Sequence, residues 1–452
     1  MAIYEELMGN PFVDAGVSAI CEWLKKEPNK IDQPDLIEMM DTFAPIMCKQ
    51  EWLNKLMFIF TIGGKATNPS FKGNVVARLM DHWKGYLTNI EELGFIGDCL
   101  GCGRRKAKFS LIKMDVPLTG SGNLLNFFPL FDKGIGYCAA CALAIQFLPL
   151  ALIASGGKFL MVHSNSERVQ RYWVRLCLDD IRRQILRNEV TGCFNPGYKN
   201  PHNGLFAMTQ ELMSRYEARW SAENAVIQLY HFTNDNRSPW LNIYQLPAEV
   251  FKFLAYVYER QFQSAWKEIV KSGYRKVKWD EIQSEDEYKN KYNLVYEWLL
   301  EGRSILGFFL NRSERQVRGD WELVTLYLRE VYKMNESRLE TLKRVGENIS
   351  DSIKQSGNTK RLGQMERTVR YAEFRNVLLR IIRDRISQGQ GNPLFSLDEY
   401  MMELFPETAG EFTDWRETKD LLLFCIYETL HDWLKSQELS EVVEEPEEET
   451  EE

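Results

Sequence analysis

Histidine is scarce in this chain. Five occur in 452 residues, at 82, 163, 202, 231 and 431, and no two sit at a metal-ligand spacing such as His-Glu-x-x-His. That excludes the helical zinc-protease pattern. Phosphate loops are also missing: "IGGKAT" (Ile62 to Thr67) and "GGKF" (Gly156 to Phe159) lack a glycine six positions before the lysine, so the Walker pattern fails. No internal repeat is visible, which excludes a solenoid or propeller. The carboxylates are plentiful, but none are arranged for two-metal nuclease chemistry. We read no active site and expect a protein that is not an enzyme. The opening "MAIYEELMGNPFVDAG" has no basic segment leading into an apolar one, so it is no signal peptide.

A chain of this length buries a large core and is more naturally two domains than one. Hydrophobic content of 44% and charged content of 27% place it among ordinary soluble globular proteins. Nine cysteines, an odd number without an export signal, fit a reducing cytoplasm rather than a disulfide framework. The formal charge of −8 argues against nucleic acid until its distribution is considered. Glu438 to Glu452 hold nine glutamates and no basic residue, an acidic tail expected to be disordered. Setting that tail aside leaves a body of about +1, on which basic groups are free to gather in patches. One stretch tests the cytoplasmic placement. Ile135 to Gly157 carry no charge and nearly reach membrane-spanning length, but Gln146, Pro149 and a glycine-rich exit favour a buried core helix.

The periodicity is mostly helical and implies an α+β protein: a zinc-stapled N-terminal α/β domain followed by a C-terminal helical bundle. Helices are expected over Phe12 to Leu24 and Asn74 to Ile90, and strands over Lys158 to Ser164 and Ala225 to Phe232. Residues 190 to 206, rich in Gly, Pro and Asn, read as a long loop. From Leu246 onward only helices are expected. The domains are then 1–245, a helical connecting region 246–334, a bundle 335–437 and the tail 438–452. In the bundle, one helix is read over Met365 to Ile386 and a last, almost wholly apolar one over Phe412 to Leu434. Residues 360 to 385 carry eight basic and three acidic side chains. Arg380 and Arg383 point away from the apolar line of that helix, with Arg370 and Arg375 on its shoulders. The face is either simply solvated or a nucleic-acid contact.

The cysteines carry the clearest chemistry. Zinc takes four tetrahedral ligands, and a Cys-x-x-Cys turn supplies two thiolates at the right separation. Cys99, Cys102, Cys138 and Cys141 make two such turns, hence a closed structural site with no position left for substrate. Four buried free thiols, or a redox pair, are the alternatives. Between the pairs come Arg104, Arg105, Lys106, Lys108 and Lys113, with no acid from Cys99 to Asp115. Such a cluster suits phosphate contacts, which are salt-dependent and blind to sequence. In "LTGSGNLLNFF" (Leu118 to Phe128), Gly120 and Gly122 allow close backbone approach, and Ser121, Asn123 and Asn126 offer donors and acceptors for base edges. An ordinary turn before a buried strand is the other reading of that loop.

The opening "GNPFVDAGVSAI", the paired Cys-x-x-Cys motifs around "LTGSGN…NFFP", and the helical C-terminal end together resemble one family. It is the CXXC–CXXC family of large subunits in type I-B CRISPR interference complexes (Cascade). The likeness runs over most of the chain and is most specific in residues 9 to 141. It implies a non-catalytic, antiviral subunit that works with crRNA, target double-stranded DNA, its displaced strand and the other Cascade subunits (backbone, 5′-handle and small subunits). It implies recognition of a protospacer-adjacent motif, help in opening the duplex, and recruitment of a helicase-nuclease. Guide-directed strand exchange is nearly balanced in energy, so motif and backbone contacts tip it. The resemblance also likens the C-terminal bundle to a small subunit, so that Arg370, Arg375, Arg380 and Arg383 face the displaced strand. It does not identify the motif-reading residues. Finally, "REVYKM" (Arg329 to Met334) can be encoded as a ribosome-binding sequence before an internal start, releasing the last 119 residues as a separate small subunit. A zinc-containing nuclease or RNA-processing enzyme, and a membrane-anchored protein, are the competing readings.

Overall fold

Asn10 and Pro11 start the first helix by two separate means. The Asn10 side chain accepts from the backbone N–H groups of Phe12 and Val13, at 3.1 and 3.2 Å, and Pro11 brings a φ already suited to a first turn. The helix that results, α1 (Pro11–Leu24), closes at Lys25 in the left-handed conformation. Val13 to Glu22 are all buried along it, so other elements must enclose it. The structure is a computed structural model and describes residues 2–436 except 6, 93, 95–96, 122–132, 216–224, 259–260, 358, 409–410 and 413–414. It is α+β and predominantly helical. The chain forms two compact units, residues 1–248 with 279–292 and residues 249–278 with 293–452. Residues 279–292, inside the expected connecting region, thus cluster with the first unit.

In the first unit α1 is followed by α2 (Gln33–Met47), α3 (Gln50–Leu56) and α4 (Val75–Leu87). A small ladder, β1 (Phe109–Leu111) with β2 (Ile135–Tyr137), leads into α5 (Ala139–Gln146). Then come β3 (Ile153–Ser155), β4 (Lys158–Ser164), α6 (Glu167–Arg187), α7 (Pro201–Arg215), β5 (Ile227–Thr233) and β6 (Trp240–Leu246). The four strands β3-β4-β5-β6 form one antiparallel sheet in chain order. The two strands read from sequence are β4 and β5.

The charge-free run is interior. Every residue from Tyr137 to Ser155 is buried, shared among a strand end, α5, a turn and β3. No helix among the described residues is long and apolar enough to cross a membrane. The closeness of α1 to α5 explains Gly16: a Cβ there would lie 1.9 Å from the Ala144 carbonyl oxygen. Across the α1–α6 contact, buried Glu22 accepts from Arg171 at 2.7 Å and Arg175 at 3.0 Å.

The expected loop over 190 to 206 is cut short, because α7 begins at Pro201. Asn200 accepts from the N–H groups of His202 and Asn203, repeating the Asn-Pro device that starts α1.

The second unit contains α8 (Ala248–Val257), α9 (Gln263–Ser272), α10 (Leu294–Glu301), α11 (Trp321–Glu330), α12 (Glu336–Ser356), α13 (Lys360–Glu366), α14 (Tyr371–Ser387) and α15 (Trp415–Ser436). It is not helical throughout. Two short ladders interrupt it, β7 (Leu310–Asn311) with β8 (Gln316–Val317), and β9 (Glu407–Thr408) with β10 (Glu411–Phe412). The last helix is central as expected: α15 packs on α11, α12 and α14, and Leu421 to Tyr427 are buried without interruption. Each fully buried Leu or Phe contributes about 1.5–3 kcal/mol.

The single helix expected over Met365 to Ile386 is two helices. Glu366 is held by Arg315 and Tyr427, and Thr368 gives its carbonyl to Lys419 at 2.9 Å instead of to a continuing helical ladder. The chain turns through Arg367 to Arg370 before α14 begins.

Candidate metal centre and basic surface

Backbone geometry builds each half of the cysteine site before any cation is considered. In the first turn the Gly103 N–H donates to the Cys99 carbonyl at 2.7 Å, with Gly103 left-handed at φ 63°. The Cys99 N–H donates to the Arg105 carbonyl at 2.8 Å, closing the knuckle. The β1–β2 ladder and the bond from the Leu100 N–H to the Gly136 carbonyl, 2.9 Å, carry the second pair alongside. Cys138 caps the N-terminus of α5 and Cys141 lies in its first turn, where the helix dipole favours thiolate.

The four sulfurs all lie within 4.8 Å of one another, and Cys102 and Cys138 are 4.0 Å apart. Cys99, Cys138 and Cys141 are buried and Cys102 half-buried. Gly101 allows this closeness, since a Cβ there would come within 2.9 Å of Cys141 Cβ and 3.1 Å of its sulfur. Hydrogen bonds from Cys138, Cys141 and Cys99 pull the Cys102 thiol far below its ordinary range, and bonding to Cys102 holds Cys138 and Cys141 above theirs. Four thiols this close cannot all ionise without a counter-charge. A divalent cation is what makes thiolates of all four, so the donor set fits a metal.

Of the other five cysteines, burial pushes Cys21 and Cys193 up to about 12 and Cys48 up to about 11, which marks them as inert.

The N-terminal segment wraps this centre. Tyr4 donates to the Ala140 carbonyl at 3.1 Å, and Met8 Sδ lies 3.9 Å from Cys141 Sγ. The structure places the basic cluster more specifically than spacing did. Arg105 donates to the carbonyls of Ala2 and Ile3, at 2.8 and 2.9 Å, and so fastens that segment to the first knuckle. Arg104 pairs with Glu5, Lys106 with Asp98 at 2.6 Å, and Lys108 with Glu92. The acids that spacing showed to be missing between Cys99 and Asp115 come from outside that interval. These pairs are surface ion pairs of small worth, which phosphates can replace.

Lys113 is half-buried, and its N–H donates to the Gly120 carbonyl at 3.2 Å. Ser121 is half-buried beside it. Gly122, Asn123 and Asn126 lie outside the described residues. In the second unit Arg370, Arg375, Arg380 and Arg383 are all exposed. Arg385, not singled out from sequence, turns inward and donates to the Asn348 carbonyl at 2.6 Å.

Residues 95–153 match the family model described as CRISPR-associated protein (Cas_CXXC_CXXC). The match supports a CRISPR-associated protein of this family. Its span holds all four cysteines, the ladder that aligns them and the buried run through α5. No curated protein and no solved structure matches the chain.

One positioning residue escaped sequence reasoning. Buried Asn234, just after β5, donates to the carbonyls of Ile59 and Lys113, both at 2.8 Å, and accepts from the Leu118 N–H at 3.2 Å. It pins both ends of the segment that enters the glycine-rich loop. Its partners lie more than 110 residues away in sequence, so no local pattern marks it.

Proposed function

We propose that this chain is the large, non-catalytic subunit of a type I-B Cascade complex and that zinc fills the four-cysteine centre. The observation that carries the reading is the family match over the four cysteines, in a chain whose cysteines converge as the family's paired motifs require. Tetrahedral zinc–thiolate bonds of about 2.3 Å put sulfurs about 3.8 Å apart, close to the 4.0 Å between Cys102 and Cys138. In this reading the metal centre is structural. It holds Arg104, Lys106, Lys108 and Lys113 on the segment that leads to Gly120 and Ser121, and we assign contact with phosphates and the protospacer-adjacent motif to those basic groups and to Gly120 to Asn126. The exposed arginines of the C-terminal bundle, Arg370, Arg375, Arg380 and Arg383, face the displaced strand. Partner subunits, crRNA and a recruited helicase-nuclease complete the complex.

The loop assignment is tested with Asn123→Ala and Asn126→Ala. Binding to motif-bearing duplex should fall more than binding to duplex without the motif; equal loss on both overturns the assignment.

We also propose that the C-terminal bundle is made separately from Met334. In a product starting there Asn335 would directly follow the initiating Met334, and Asn335 already caps α12 by accepting from the Arg338 N–H at 2.8 Å. It would lack Arg315, the partner of buried Glu366. Silent recoding of Arg329 to Val331 should abolish the short product, and its persistence refutes the internal start.

A further inference from the structure

The antiparallel sheet of the first unit carries a polar row across one face. Ser155 on β3 faces Lys158 on β4, and Thr233 on β5 faces Trp240 on β6. The β4–β5 register, continued by one residue, sets Lys158 opposite Thr233. Residues directly opposite in an antiparallel sheet point to the same side, so the four side chains form one line. His231, two residues before Thr233, lies on the same face in the next row, with its ring 4.8 Å from that of Trp240. The turn that brings Ser155 and Lys158 together is Gly156–Gly157, both left-handed at φ 56° and 81°. This is the "GGKF" motif that failed the Walker test.

The row is buried yet unsatisfied. Ser155, Thr233 and His231 are 2%, 7% and 6% exposed. Among the described residues Ser155 Oγ and Thr233 Oγ1 make no hydrogen bond, and the His231 ring makes only a weak one, to the Ser155 backbone. Native proteins rarely leave such groups without partners, and the two hydroxyls with the remaining His231 nitrogen mark a place where another molecule supplies them. Above them the Lys158 ammonium lies 3.4 Å from the centre of the Trp240 ring. Both side chains are half-buried, and a lysine stem is flexible enough to swing off the ring.

We propose that this row is a nucleotide site: a base stacks on Trp240, its phosphate meets Lys158, and Ser155, Thr233 and His231 bind its polar edge. A bare phosphate would need donors alone. The His231 ring is neutral near pH 7, since burial and then the Lys158 charge hold it at about 4 against a smaller pull from the Ser155 backbone. With its N–H turned to the Ser155 backbone, the neutral imidazole offers an acceptor, the two hydroxyls offer donor and acceptor, and the indole offers a face. A nucleobase with its phosphate uses all of them, and base stacking on an aromatic ring tolerates any sequence. The site goes beyond the Cascade reading and stands on its own geometry. A free nucleotide and one residue of an unpaired strand would present the same chemistry.

Photocrosslinking the full chain with iodouracil-substituted deoxyuridine monophosphate, and separately with a short iodouracil-substituted oligo(dT), tests the site and separates the two sources. Mass spectrometry should place the crosslink on Trp240, with the monophosphate if the source is free nucleotide and with the oligonucleotide alone if it is a strand. Lys158→Met should cut yield about tenfold or more, because it removes a charged partner. Thr233→Val should cut it about threefold while leaving the melting temperature level or higher, because it removes an unsatisfied hydroxyl. That pairing of lost binding with kept stability is the signature of a ligand site. Crosslinks only elsewhere, or yields unchanged in both variants, overturn the proposal whatever RNA or partners the native protein carries.

Discussion

The backbone N–H of Cys138 donates to the sulfur of Cys99 at 3.1 Å, so the two halves of the cysteine centre are joined by protein alone. A metal would complete a site already aligned. One equivalent of bound metal per chain is expected by mass spectrometry of the intact protein, and Cys99→Ser or Cys141→Ser should abolish it. Chelation should lower the melting temperature of the first unit and leave the second unit's unchanged. Full stability without metal would show the centre to be four structural thiols.

Gly101→Ala should damage the same centre without removing a ligand. The new methyl would sit against Cys141 and 3.1 Å from the Tyr137 ring, forcing the knuckles apart. Metal affinity is expected to fall about tenfold or more, as ligand geometry degrades. Gly16→Ala, driven into the Ala144 carbonyl, should cost about 1–3 kcal/mol or more in denaturant unfolding and leave metal affinity intact.

Glu22 should make stability depend on acid pH. Burial works to raise its pKa, but hydrogen bonds and charge from Arg175 and Arg171 outweigh this and hold it at about 2. The folded value lies below the unfolded one. The stabilisation is therefore fully present above the ordinary carboxylate range and is lost as pH falls from about 4.5 toward 2. His82, lowered to about 4 by burial and then by Lys65 and Arg78, loses its share between pH 6.5 and 4. Unfolding measured against pH should flatten in Glu22→Gln only in the lower of these windows.

Arg315 and Glu366 form a bidentate pair at 2.9 Å, both almost fully buried, with the Tyr427 hydroxyl added at 2.8 Å. Glu366→Ala removes the carboxylate that pairs bidentately with a buried guanidinium and should cost about 3–5 kcal/mol in unfolding of the second unit. A double variant that also replaces Arg315 with Met should recover much of that loss. An additive double variant would rule out direct coupling.

Asn234→Ala removes three hydrogen bonds at the entrance to the glycine-rich loop and takes the donor from one buried and one half-buried carbonyl. About 2–3 kcal/mol of stability should go, and hydrogen exchange should quicken at Leu118 first.

The cysteine centre was legible because its chemistry is local: each pair is a short turn, and only their meeting needs the fold. Helices α1 and α4 were legible for the same reason, through Asn10 and Asn74 at their caps. The break after Glu366 was not. Its helical period continues across the break, and the groups that end the helix, Arg315, Lys419 and Tyr427, come from elsewhere in the chain. The basic cluster shows the same limit, since Glu5 and Arg104 meet across 99 residues. Spacing reports which side chains share a face; it does not report which distant carboxylate or carbonyl will cover them.

Purification of the tagged protein from its native host addresses the Cascade reading most directly. A uniform RNA of guide size, several co-purifying proteins and a band near the mass of the product from Met334 are the expected result. A lone protein carrying metal but neither RNA nor partners would contradict it.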